Sequence, residues 1–316
     1  MVVDKTINAT CILCGTTLPE DGVELFDTRF GIAASYFSKV CITCGLEQTA
    51  PVPSADGLKS LYEKYYNFGG ENNTIYTSMR EWFLSSCLYR FWLAVDGDMS
   101  FHCRRGKGRV LDVGCNEGRG LAIYRRNGFM AEGLELNETA ANVARLKGFT
   151  VHPQLIEDFV PDDQYDVVIL SNVLEHSPDP CGMIANVFRL LKPGGEVWIS
   201  CPNCRSWLRA LFGRFWINWH VPFHLSHFSI KTLGSLLQKE GFAVVESKQF
   251  TPALWVSHSV LSGLFARRGS VTRPLRNPML IMLMISLIRG FCFPLLWLGN
   301  ILERGDCIVV TAARKA

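Results

Sequence analysis

Near the start of the chain stand two pairs of cysteines, Cys11-Ile-Leu-Cys14-Gly15 and Cys41-Ile-Thr-Cys44-Gly45. A C-x-x-C-G run closes a tight turn that aims two thiolates at one centre, and the glycine relieves the backbone after the second thiolate. Two such turns supply the complete tetrahedral shell of a structural Zn2+, with no position left open for chemistry. Cys11, Cys14, Cys41 and Cys44 are therefore predicted to hold zinc, which would let a segment too small for its own apolar core fold. A third C-x-x-C run, Cys201-Pro-Asn-Cys204, has no matching second pair and reads as packing around a Pro-Asn turn rather than as a redox site. Further along, Val110-Leu-Asp112-Val-Gly114-Cys115-Asn116-Glu117-Gly118-Arg-Gly120 places an apolar strand before a glycine-rich turn and then a helix. Gly114 and Gly118 permit backbone conformations and a close ligand approach that a β-carbon would block. Glu135 follows Asp112 by 23 residues, at the end of a second strand. A carboxylate there can accept both hydrogen bonds of a ribose diol, so a nucleotide-like ligand is expected.

These residues need a sheet to position them. From 109 onward, short apolar strands near 109–114, 131–135, 165–171, 195–201, 243–250 and 307–312 alternate with helical stretches near 119–127, 137–147, 181–191 and 230–240. Gly128, Gly148, Gly194 and Gly241 are placed to end those helices. That alternation predicts an α/β, doubly wound parallel sheet with helices on both faces. Its carboxyl edge is where ligands sit in such folds. His176 follows the fourth strand at that edge, and His224 and His227 lie in the insertion after the fifth. Three domains are predicted: a zinc ribbon over 1–50, a helical linker and substrate cap over 51–108, and the α/β domain over 109–316 with insertions at 202–228 and 251–305. The linker carries helical patterns near 54–66 and 75–95, and the polar start of the second, Tyr76-Thr-Ser78-Met-Arg80-Glu81, faces a cleft in this reading.

At the glycine turn the chain resembles the class I S-adenosylmethionine-dependent methyltransferases, over roughly 109–250. Further landmarks are Tyr165-Asp166-Val-Val-Ile-Leu-Ser171-Asn172-Val-Leu-Glu175-His176, Leu191-Lys-Pro193-Gly194-Gly195 and His220-Val-Pro222-Phe-His224-Leu-Ser-His227-Phe228. With Asn116 in place of the middle glycine, the turn is similar to that of zinc-bearing sugar C-methyltransferases. The resemblance implies a seven-stranded Rossmann-like methyltransferase sheet. It also implies that Asp112, Gly114 and Gly118 hold the methionine end of the cofactor and Glu135 the ribose. Cys115, Asn116 and Asn172 would join them around the cofactor, with Glu157 or Asp158 near adenine. In those enzymes a histidine matches His176, a tyrosine matches Tyr76, and a Glu-His pair matches Phe223-His224. Methyl transfer to a hydroxyl or a carbon acid needs a proton acceptor, and histidine is the side chain with a pKa nearest neutrality. Tyr76, His176 and His224 are the candidates for chemistry. Because Phe223 stands where the glutamate would be, oxygen is the expected acceptor rather than carbon.

In a chain of 316 residues, 48% apolar types and 19% charged types exclude intrinsic disorder. Twelve cysteines are too sparse for a disulfide scaffold, and the opening residues lack a signal-peptide pattern, so a reducing cytosolic setting is expected. Residues 261–316 carry a net +6 against −3 for the remainder, so the attraction to anions is confined to the C-terminal part. There lies Pro278-Met-Leu-Ile-Met-Leu-Met-Ile-Ser-Leu-Ile288, followed after Arg289-Gly290 by Phe291-Cys-Phe-Pro-Leu-Leu-Trp-Leu298. By length it could span a bilayer, but a last strand that rejoins the sheet requires a return to the same side. A pair of helices lying in the headgroup region, or dipping in and out of the bilayer, is predicted, with Arg267, Arg268, Arg273 and Arg276 against anionic lipid; a buried lid or dimer contact is the alternative. The partners expected are a sugar, nucleotide-sugar or lipid-linked glycan substrate and the cytosolic face of an anionic membrane. Aromatic and basic residues interleave over Trp207–Trp219, as they do in single-strand binders, but their place over the expected cleft, followed by the Pro-x-His run, favours a cap for a sugar or lipid-linked glycan. A zinc-ribbon RNA methyltransferase is a further reading. A non-catalytic cofactor-binding scaffold is a third.

Overall fold

The computed structural model describes residues 10–65, 82, 86–87 and 101–315. Strands β1 (Val23–Phe26), β2 (Ser35–Val40) and β3 (Glu47–Ala50) form an antiparallel meander between and after the cysteine turns. The helix Ala55–Tyr65 follows. Most of the second helical pattern, Tyr76 included, lies outside the described residues.

Strands β4 (Arg109–Val113), β5 (Met130–Leu134), β6 (Val151–His152), β7 (Tyr165–Ser171) and β8 (Leu191–Pro202) run parallel. The chain then forms β9 (Ser226–His227), β10 (Phe242–Phe250) and β11 (Cys307–Arg314), and β11 runs antiparallel to both β8 and β10. Sheet order is β10-β11-β8-β7-β4-β5-β6. This is the seven-stranded, doubly wound α/β architecture that the sequence predicts. Four successive residues of β4 are buried, as a central parallel strand covered on both faces requires. The chain winds outward from β4 to β6 and then restarts at β7 on the other side of β4. The crevice at the carboxyl ends of β4 and β7 is thus the switch point where such folds bind ligands.

The interrupting segments do more than decorate the sheet. β9 pairs with β3, so the ribbon takes its fourth strand from the insertion at 202–228. The predicted ribbon and the predicted α/β domain thus share one sheet. Asp306, fully buried at the start of β11, accepts hydrogen bonds from Ser206 Oγ (2.6 Å), Trp216 Nε1 (2.8 Å) and Asn218 Nδ2 (3.1 Å), which ties the same insertion to the last strand. The apolar segment differs from expectation: Pro278–Ile301 is one helix that continues through Arg289-Gly290 and contains Pro294. Its helical partner is Ala253–Phe265, outside the 278–298 stretch itself.

Candidate active site

β4 ends in a turn built from left-handed residues, Gly114 (φ 70°), Asn116 (φ 51°) and Gly118 (φ 75°), the last opening the helix Arg119–Arg126. A β-carbon on Gly118 would lie 2.9 Å from Ala144 Cβ, and one on Gly120 would lie 2.7 Å from Asp112 Oδ2. Gly120 is thus required by the Asp112 carboxyl rather than by its own backbone. Glu135 is fixed from both sides, since Asn116 N–H donates to its Oε2 (2.9 Å) and Asn137 N–H to its Oε1 (2.7 Å). Its remaining lone pairs suit the diol of a ribose. Asp112 is buried, and burial together with the neighbouring Glu135 charge pushes its pKa up to about 7. Two carboxyl groups against a cradle without β-carbons fit a cationic adenosyl ligand, whose ammonium and sulfonium would offset that cost.

The remaining predicted cofactor residues divide. Asn172, at the end of β7, has φ 54°, and its Oδ1 is buried with no hydrogen-bond partner among the described residues. That orphan acceptor lies at the same edge as the glycine turn, where Val173 Cγ2 comes within 3.1 Å of a β-carbon placed on Gly114. Cys115 turns its thiol into the core beneath β5, its Sγ filling the place of a Gly133 side chain, and its N–H is spent on Leu134 O (3.1 Å). Glu157 and Asp158 sit exposed in the turn after β6. Cys201 and Cys204 are fully buried, with their thiols pushed up by burial, that of Cys204 to about 12, as packing residues should be.

If Asp112 faces the ammonium of the ligand, affinity for S-adenosylhomocysteine should improve as pH rises from 6 to 7.5, because binding favours the ionised carboxyl. In Asp112→Asn this dependence should vanish and the affinity should drop about tenfold. Calorimetric titration that shows equal slopes for the two proteins would place the ammonium elsewhere.

Beside this cradle the structure gathers His176, His220 and His224. His176 and His224 stack edge-on with ring centroids 4.6 Å apart, and His220 lies 4.8 Å from His224. His224 Nδ1 meets Asn218 O at 2.7 Å, and a carbonyl only accepts, so the ring proton is assigned to Nδ1. His224 Nε2 then faces His220 Nδ1 at 3.3 Å. His176 Nδ1 lies 3.1 Å from Phe223 O and 2.9 Å from Tyr62 Oη, an arrangement that assigns the lone pair to Nε2. Burial holds the His176 pKa down at about 4 and those of His220 and His224 well below the ordinary value, so all three rings are neutral at physiological pH.

Phe223, where similar enzymes carry glutamate, is fully buried, with its ring 5.4 Å from Tyr62 and 5.6 Å from Phe30. A carboxyl nevertheless reaches the cluster. Glu175 is buried, both its oxygens lack hydrogen-bond partners among the described residues, and it has a donor atom within 4.8 Å of those of His176 and His224. Burial raises its pKa to about 8, so at neutral pH it is mostly the acid. The same trio could also take a divalent cation. Sequence reasoning missed Glu175, His220 and Tyr62. The helical pattern near 54–66 was visible, but nothing in it marks Tyr62 as reaching a residue 114 positions away.

At the ribbon, Cys11 Sγ lies 3.5 Å from Cys44 Sγ and Cys14 Sγ 3.5 Å from Cys41 Sγ, and all four sulfurs fall within 4.8 Å of one another. Gly15 (φ 73°) and Gly45 (φ 77°) turn the chain after each pair. The donor set and its spacing fit a four-thiolate metal shell.

Comparison with known proteins agrees with this geometry. Residues 97–247 match the family model described as a methyltransferase domain. Curated relatives named ubiquinone biosynthesis O-methyltransferase include that of Sodalis glossinidius, 36% identical over 123 residues (36% of this chain and 49% of that protein), and that of Salmonella arizonae, 36% identical over 124 residues (36% and 51%). The chain thus spans about half the length of the curated relatives it matches. Among solved structures, the cyclase SpnF aligns with a TM-score of 0.50 at 15% identity, covering 84% of this chain and 97% of that one. That likeness concerns the fold alone, and a cyclase on this fold shows that architecture does not dictate chemistry. Residues 97–247, a little under half of the chain, are thus similar to a methyltransferase domain.

Proposed function

We propose that the protein transfers a methyl group from S-adenosylmethionine to a hydroxyl oxygen of a small molecule, with a sugar, free or carried on a nucleotide or lipid, as the acceptor. The observation that carries the reading is the cluster of neutral histidines set beside the two-carboxyl, glycine-lined cradle at the switch point. The cofactor, when bound, supplies an electrophilic methyl on a sulfonium sulfur. Glu135 would hold the ribose, Asp112 the ammonium, and the orphan Oδ1 of Asn172 a donor of the ligand. His176 Nε2 accepts the hydroxyl proton as oxygen attacks, while Phe223 O and Tyr62 Oη hold the ring in place. His224, locked to Asn218 O, and His220, held against His224, form the wall behind it and position His176. Because Phe223 seals the place of the missing glutamate with apolar surface, abstraction from a carbon acid has less support than abstraction from oxygen.

The names of the curated relatives favour a second acceptor, a phenolic hydroxyl of the kind found on quinone precursors. Four thiolates at the ribbon are read as a structural zinc site. One experiment separates the acceptors: incubation of the full chain with methyl-tritiated cofactor and cell fractions resolved as nucleotide sugars, lipids, phenols and RNA. Label in a sugar or lipid-glycan fraction supports the first reading and label in a phenol the second. Label confined to RNA, or no transfer by protein that still binds S-adenosylhomocysteine, defeats both.

A further inference from the structure

The helix Pro278–Ile301 is apolar on two opposite sides, which a helix packed only against protein does not need. One stripe, Ile285, Ile288, Leu296 and Gly299, is buried, and Ile285, Ile288 and Leu296 join Leu25 and Tyr36 of the ribbon and Trp216 and Trp219 of the first insertion in one core cluster. Trp207 backs Gly299, its ring 3.3 Å from where a β-carbon would sit. This contact runs along most of the helix, about 36 Å at 1.5 Å per residue. The helix therefore lies flat on the body of the protein rather than standing away from it.

The other side has no cover. Met282, Leu283, Leu287, Phe291, Leu295 and Trp297 are 44–82% exposed, and the helix has a mean hydropathy of 2.2 over its most apolar window, of which only 17% is buried. A soluble surface would carry charge there, but the helix holds a single charged residue, the half-buried Arg289, and the other charges stand at its ends. Exposed Arg267, Arg273 and Arg276 precede the helix, and exposed Arg304 follows it beside Glu303. Arg268, in the same group, is paired with Glu24. β10 and β11, the strands on either side of the insertion, are neighbours in one sheet, so both ends of the segment leave from and return to the same side.

We infer that this face is a docking surface for an anionic lipid bilayer, with the helix lying in the interface plane and its flanking arginines among the headgroups. The dimensions agree: a flat apolar strip edged by cations matches an acyl boundary beneath negative headgroups, whereas a span would strip the buried stripe from its core. The helix Ala253–Phe265 packs beneath, and its Ser259 Oγ accepts from Ile217 N–H (3.1 Å), close to the segment that holds His220 and His224. One helix layer thus separates the lipid face from the histidine cluster, which suits an acceptor borne by lipid. Docking itself does not depend on what the methyl acceptor is.

The test uses the purified full chain and vesicles of phosphatidylcholine with or without phosphatidylglycerol. Expected is flotation with the anionic vesicles, weakened by salt and weakened about fivefold for each of Arg273→Gln and Arg276→Gln. The triple variant Leu283→Ser, Leu287→Ser, Phe291→Ser should lose at least about tenfold in partitioning, since each of these side chains faces outward and would otherwise be shielded from water by lipid. An unchanged melting-temperature rise with S-adenosylhomocysteine verifies that this variant is folded. Folded wild-type protein that stays with the buffer overturns the inference, as does equal binding to both vesicle types. A dimer that the triple variant dissociates, with no flotation, assigns the face to a second copy and overturns it as well.

Discussion

His176→Ala is expected to lower turnover by about a hundredfold or more while leaving affinity for S-adenosylhomocysteine nearly unchanged, because a proton acceptor acts on the transition state and not on cofactor binding. The pH profile distinguishes this role from a structural one. An ordinary histidine would lose its lone pair as pH falls through 6.5, but burial holds His176 at about 4, so turnover at saturating cofactor should stay level from pH 7.5 to 5.5. The same depressed pKa values make the cluster a source of acid lability. Below pH 6.5 the unfolded chain takes up protons that His176 refuses until about pH 4 and that His227 refuses until about pH 3. Stability should therefore drop as pH falls below 6.5, and turnover must be measured on protein shown to be folded. Tyr62→Phe removes the hydroxyl beside His176 Nδ1 and should cost much less than His176→Ala. Wild-type turnover in His176→Ala would move the proton acceptor elsewhere, and a parallel loss of cofactor affinity would make His176 a structural residue.

The second large effect concerns the ribbon. Cys11→Ser and Cys44→Ser should each release the metal and lower the melting temperature by about 10 °C or more, the size of shift that a loss of several kcal/mol produces in a chain of this length. The damage should reach turnover as well. Strand β3 supports the histidine segment directly: Thr49 Oγ1 donates to His224 O (2.7 Å) and lies 3.0 Å from His227 Nε2, and Thr49 N–H donates to Leu225 O (2.9 Å). Glu47, beside it, is buried and paired with Arg209 at 2.7 Å. The cofactor cradle belongs to β4 and β5 and touches none of these. Cysteine variants should therefore lose turnover at temperatures where they still bind S-adenosylhomocysteine. Metal-free protein with native turnover and melting temperature would refute both the zinc and its role as a brace.

The central sheet was legible because its strands are short apolar runs separated by helices with glycine stops, and the observed boundaries of β4, β5 and β7 differ from expectation by a residue at most. The cradle was legible for a related reason: its geometry depends on a local turn, which spacing in sequence reports. The histidine cluster was read only in part. His176 and His224 were placed by their strand edges; Glu175 and His220 lie next to them in sequence, but only the packing that buries all of them shows that they share the cluster, and Tyr62 joins from 114 residues away, a contact that no local pattern encodes. β9 escaped notice since two residues carry no periodicity. Arg289-Gly290 suggested an interruption that the fold does not make. A glycine costs a helix only about 1 kcal/mol, and Pro294 removes the hydrogen bond to that same residue, Gly290, while the buried stripe on either side keeps the helix on its core.

The strand shared between β3 and β9 also sets an order of events during synthesis. The ribbon leaves the ribosome ahead of the large domain, yet the partner of Glu47 in its sheet is His227, 180 residues further along. A metal held by the four thiolates would gather the cysteine turns early, but the outer edge of β3 stays unpaired until the strands of the large domain have emerged and folded. Until then Glu47 is without Arg209, and Thr49 without the backbone of Leu225 and His224. An exposed strand edge of this kind invites pairing with other chains. A nascent chain halted near residue 200 should for that reason still be captured by chaperones, and capture should end only once β11 has cleared the exit tunnel and closed the large sheet.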